Sequence, residues 1–162
     1  MAQRRTSRRG LLAVILTGTL LSGGLAGCGI LPQTPEKTEE TTVDYGVVAD
    51  AVPAAAPRVV AVEDPVQWRN GFGHGLELSL VTDSAEPFTA DELDAVVEAV
   101  WRTLPWEPNA IVLTAGVEDG GDPVDLRAAA AELEELGVTD SGQGGVSLTG
   151  MDARYGAWTA PE

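Results

Sequence analysis

Residues 89–104 carry the pattern that most narrows what this chain can fold into. Thr89 and Glu92 stand at capping-box spacing, the hydroxyl facing the first free amides and the carboxylate reaching back to the cap, and Phe88 and Leu93 are placed to close a hydrophobic staple over them. Leu93, Val96, Val97, Val100, Trp101 and Leu104 then recur at i, i+3, i+4, with Asp94, Glu98 and Arg102 on the opposite side and Pro105 as the stop. A helix with one apolar stripe must lay it on another layer. The segments on both sides of this helix read as strands, so the expected layer is a sheet.

Before the helix, residues 58–63 alternate, with Val60 and Val62 expected on one face. Asn70-Gly71 is the strongest hairpin signal, since a type I′ turn needs φ > 0 at both central positions. His74, Leu76, Leu78, Leu80 and Thr82 share one face of the returning strand. A two-residue turn at Asn70-Gly71 would pair Val60 and Val62 with the wrong face of that strand, and one extra residue cures the mismatch. A bulge is therefore expected at Asp64-Pro65, where proline has no N–H to give the ladder, leaving Val66 and Trp68 facing away from Leu76 and Leu78. Upstream, Val47, Val48, Ala51 and Val52 have helical spacing, with Asp44 as a cap.

After the helix, residues 109–117 are apolar on both faces and suit a central strand. Asp122, Pro123 and Asp125 match N-cap, N1 and N3 of a second helix, whose buried stripe would be Leu126, Ala129, Ala130 and Leu133 and whose left-handed C-cap would be Gly137. Residues 146–149 offer one more strand, at an edge of the sheet. The expected fold class is α+β: a small, largely antiparallel sheet with helices packed on one face, roughly a ferredoxin-like two-layer sandwich.

The N-terminus is of a different kind. Arg4, Arg5, Arg8 and Arg9 precede an apolar run over residues 11–25 that Gly18, Gly23 and Gly24 interrupt, which is the layout of a secretory signal rather than of a spanning helix. Leu25-Ala26-Gly27-Cys28, with the chain's single cysteine, resembles the lipobox of bacterial lipoproteins. That resemblance implies that Cys28 is lipidated and becomes the first residue after cleavage. Lipoproteins of this kind carry at least two acyl chains, and at about 0.8 kcal/mol per buried methylene two chains hold where one binds reversibly. Ser7-Arg8-Arg9-Gly10-Leu11-Leu12 resembles the twin-arginine export motif, a receptor-read address that implies export of an already folded domain; ordinary secretion of an unfolded chain is the alternative. The implied organisation is a signal over residues 1–27, a lipidated cysteine and disordered tether over 28–43, an α+β domain over 44–138 and a glycine-rich C-terminal extension over 139–162. The tether, rich in Pro, Glu and Thr, reaches roughly 45–50 Å at most.

Charge excludes more than it identifies. The signal holds four of the ten basic residues and no acid, which leaves six against 25 acidic residues, a formal charge of −19. Nucleic acid needs a basic footprint, so it is not an expected partner. Broad contact with an anionic membrane is disfavoured as well.

Chemistry-bearing constellations are sparse. A lone histidine, a lipidated cysteine and the lack of a Gly-x-Ser-x-Gly elbow give nucleophilic catalysis nothing to work with, and His74 reads as a strand residue. Many carboxylates exist, but nothing selects a pair for hydrolysis. Glu118, Asp119, Asp122 and Asp125 crowd around two glycines and could offer oxygen ligands to Ca²⁺; their spacing is not that of an EF-hand, and Asp122 and Asp125 are equally explained as caps. Trp68, Tyr155 and Trp158, near turns or in the tail, are the candidate partner-binding residues, with coverage of the sheet as their structural explanation. The expected function is a membrane-anchored, non-enzymatic module of the cell envelope that binds another envelope component. A calcium-responsive module and a small hydrolase are the alternatives.

Overall fold

The computed structural model describes residues 43–118 and 121–162. The export signal at Arg8 and Arg9, Cys28, the tether and Asp119 lie outside the described residues.

The organising helix forms as its sequence requires. Helix α2 (Ala90–Thr103) starts at Thr89 with both arms of the capping box in place: the Glu92 N–H donates to Thr89 Oγ1 at 3.3 Å and the Thr89 N–H to Glu92 Oε2 at 2.9 Å. Those bonds hold the Glu92 carboxyl below its usual range, the Thr89 amide contributing most. Leu93, Val96, Val97, Val100 and Trp101 are all buried, and the staple partner Phe88 joins them in the core. At about 1.5–3 kcal/mol for each large apolar side chain, that stripe is a major share of what holds the layers together.

Helix α1 (Gly46–Ala55) packs on α2 and on strand β1 (Val59–Asn70), with the Asp44 carboxylate accepting from the Gly46 N–H at 2.8 Å. Strands β2 (Gly73–Thr82) and β3 (Ala110–Val117) flank α2 in sequence and lie parallel side by side. After the short helix α3 (Arg127–Ala131), β4 (Gly137–Gly142) and β5 (Gly145–Thr149) form a hairpin, and helix α4 (Met151–Tyr155) follows. The sheet order is β1-β2-β3-β5-β4, antiparallel except at β2–β3. This is the expected α+β sandwich of two layers, with an element order of its own, αββαβαββα. As expected, β3 is central.

The bulge stands where the register argument put it. Glu63 pairs Ser79 and Val66 pairs Glu77, so Asp64 and Pro65 face Leu78 alone, with Asp64 in the left-handed region at φ 50°. Beyond it Val66 and Trp68 pair with Glu77 and Gly75, on the face opposite Leu76 and Leu78. Two details differ. Asn70 belongs to the ladder, opposite Gly73, so the turn residues are Gly71 and Phe72; Gly71 alone has positive φ, 61°, which is the pattern of a II′ rather than a I′ turn. A second register shift at Val60 turns that side chain outward, so Val59, not Val60, shares the inner face with Val62.

The C-terminal third departs further from expectation. The second helix does not begin at Asp122, because the backbone there is claimed by the sheet: Pro123 bridges Gly116, the Val124 N–H donates to Ala115 O at 2.8 Å and the Leu126 N–H to Gly144 O at 2.9 Å. What remains is the one-turn α3, with Leu126, Ala129, Ala130 and Leu133 buried as predicted. Glu135, at φ 77°, makes the left-handed exit assigned to Gly137, which instead opens β4. Strand β5 lies inside the sheet rather than at its edge, with Val146 and Leu148 in the core, where Met151 of α4 joins them.

Candidate functional site

Alternation along the strands divides the sheet into two unlike faces. The inner face, under the helices, presents Leu76, Leu78, Leu80, Ile111, Leu113, Val146 and Leu148, each at most 1% exposed. The outer register runs Glu77-Val112-Ser147, Ser79-Thr114 and Val81-Gly116, so its side chains are small or polar. No helix among the described residues covers it. A hollow of about 640 Å³ lies there, within the range of small-molecule sites. Ala61, Ser79, Val81, Thr114 and Gly116 form its floor, and Glu63, Glu118 and Gln143 stand at its rim. On the floor the Ser79 and Thr114 hydroxyls are 3.0 Å apart and bond each other. Behind it Thr82, wholly buried, holds the strand ends together: its hydroxyl lies 2.9 Å from Ser84 O and 3.2 Å from Gly116 O.

Trp68 belongs to this outer face but not to the hollow. Its indole lies over Gly75 so closely that a Cβ there would overlap the ring. It covers the hairpin end of the sheet, as the structural reading expected. Tyr155 and Trp158 lie on the helical side, away from Trp68. The Tyr155 hydroxyl donates to Asp94 Oδ1 at 2.6 Å, and Trp158 packs on the core with its indole N–H buried and without a hydrogen-bond partner. The three aromatics singled out in the sequence do not form one surface.

Around Tyr155 a polar network clamps the C-terminus to α2. Arg154 donates to both Asp94 oxygens, at 2.7 and 2.8 Å, and to Glu134 O at 3.0 Å; Arg102 donates to Tyr155 O at 2.6 Å, and the Trp101 indole to Gly156 O at 3.2 Å. The Arg154 bonds hold the Asp94 carboxyl below its usual range, and burial is the main cause that pushes the Tyr155 hydroxyl above its own.

The acidic loop is partly committed. Asp125 accepts the Arg127 N–H at 2.9 Å and its side chain at 2.6 and 3.0 Å, and these bonds bring its carboxyl down to about 2. Arg127 also reaches Asp140 at 3.2 Å. Glu118 stands at the rim of the hollow and Asp122 is exposed. Among the described residues, no three His, Cys, Asp or Glu side chains are grouped as a metal would need. His74 is a strand residue, its backbone N–H donating to Asn109 Oδ1 at 2.9 Å and its ring tilted on Trp106 at 5.3 Å.

Sequence reasoning missed the hollow, although its signal was present in the outer register of Ser79, Thr114 and Gly116. Small residues there mattered more than aromatic ones. No helix of the described residues is long and apolar enough to cross a membrane. No protein family, curated protein or solved structure matches the chain.

Proposed function

We propose that this chain is a lipoprotein, exported through its Arg8-Arg9 signal and held by Cys28 on the outer side of the cytoplasmic membrane, which binds an envelope partner without acting on it chemically. The contact surface in this reading is the uncovered sheet face. One observation supports it above the others: a sheet whose inner face is filled with leucine keeps a hollow of about 640 Å³ on the other, floored by residues too small to serve packing.

Gly116 makes the reading testable, because a Cβ placed there meets nothing within 4 Å. Gly116→Leu starts from a Cβ that has room and should place its side chain in the hollow. Crosslinking in native membranes should capture one dominant partner with the unaltered chain and lose it with Gly116→Leu at unchanged melting temperature. Equal capture by both would overturn the assignment of this face. A membrane-bound chain whose Cys28 has the mass of an unmodified residue would overturn the anchor.

A further inference from the structure

The hairpin between β1 and β2 ends in a residue that neither its turn nor the core requires. Phe72 is 106% exposed, as open as in an extended peptide. The turn needs glycine at Gly71, where φ is 61°, and asks nothing apolar of the next position, where Asn, Ser or Asp would serve.

The position of the N-terminal end of α1 gives this residue meaning. Tyr45, just before α1, has its hydroxyl beside the Trp106 indole; Trp106 packs on His74, and His74 pairs Arg69 at the hairpin. The N-terminal end of α1 therefore lies at the hairpin end of the sheet. Strand β2 carries the sheet from Gly73 to Val81, roughly 26 Å at the usual rise per residue, and the hollow lies at that far end.

We propose that the Phe72 hairpin tip is a lipid-surface contact, which sets the domain on the bilayer with its hollow facing away. The inference rests on the lipoprotein reading. The strong negative charge of the chain opposes any broad approach to anionic lipid, so a workable contact is small, apolar and at a tip. Arg69, exposed beside it, adds a cation that can meet headgroups. A single aromatic side chain binds a bilayer weakly, but a tethered one meets the surface at high effective concentration.

The test uses residues 28–162, coupled through the sole thiol, Cys28, to a maleimide lipid in vesicles of phosphatidylcholine and phosphatidylglycerol. Hydrogen exchange at residues 71–74 should slow severalfold against the same chain with its thiol capped, while residues 114–118 exchange unchanged. Phe72→Ser should abolish the slowing and Phe72→Trp should keep it. No slowing, equal slowing in Phe72→Ser, or protection at the hollow instead would overturn the proposal. Chemical coupling stands in for acylation, so such a failure leaves the lipoprotein reading intact. That reading fails separately, if Cys28 from native membranes has the mass of an unmodified residue.

Discussion

The two faces of the sheet are made by the same strands, residue by residue, and they carry opposite kinds of side chain. In β2 the inward residues are Leu76, Leu78 and Leu80, and the outward ones Gly75, Glu77 and Ser79; β3 repeats the contrast with Ile111 and Leu113 against Val112 and Thr114. Stability comes from the first set, since burial of large aliphatic side chains is the dominant favourable term in folding. The second set contributes little to packing and leaves a shaped surface. Substitutions on the two faces should therefore separate stability from binding.

The largest effect is expected inside. Leu113→Ala removes a wholly buried side chain in the central strand and should cost about 2–5 kcal/mol, seen as a lower denaturant midpoint. A loss under about 1 kcal/mol would mean that the core rearranges freely and the contrast is less sharp than drawn.

Next comes the clamp on the helical side. Asp94→Asn weakens the bonds from Arg154 and Tyr155 and should cost about 1–3 kcal/mol. Its pH signature is specific. Asp94 has a folded-state pKa below the unfolded value, so its contribution is present above the ordinary carboxyl range near 4 and is lost as the pH falls through the lowered value. The gap in melting temperature between the unaltered chain and Asp94→Asn should accordingly narrow in acid; a constant gap would show that the carboxylate charge is not what holds the clamp.

On the outer face the expected stability changes are small. Gly116→Leu should stay within about 0.5 kcal/mol of the unaltered chain while losing the partner, and a large destabilisation would mean that the hollow is structural. Smallest of all should be the response to calcium. With Asp125 already paired to Arg127, millimolar calcium should leave the melting temperature unchanged. A rise would move weight to the cation-responsive alternative.

What was legible in the sequence followed local rules. The capping box and stripe of α2 named the helix to within a residue, and the mismatch of register around Val60 located a bulge that no propensity scale would find. The turn slipped by one because Asn70-Gly71 is a strong local signal, and a ladder that continues one pair further can override it. Residues 122–126 failed for a longer-range reason: their capping signals are real, but hydrogen bonds to Ala115 and Gly144 take the backbone first. β4 was invisible because all its residues are exposed, so it carries no alternation to read. The hollow was equally hidden, since it is an arrangement of small side chains from strands distant in sequence.

The Asp64-Pro65 bulge has one more consequence. β1 is an edge strand of 12 residues, with Val60 and Val66 exposed on it, and an unbroken edge of that length offers its free amides and carbonyls to any like strand that drifts alongside. The proline withholds a donor and the left-handed Asp64 bends the row, so two copies brought edge to edge find no continuous ladder to share. The kink that sets the register within one chain thus also interrupts the edge that a second chain would meet.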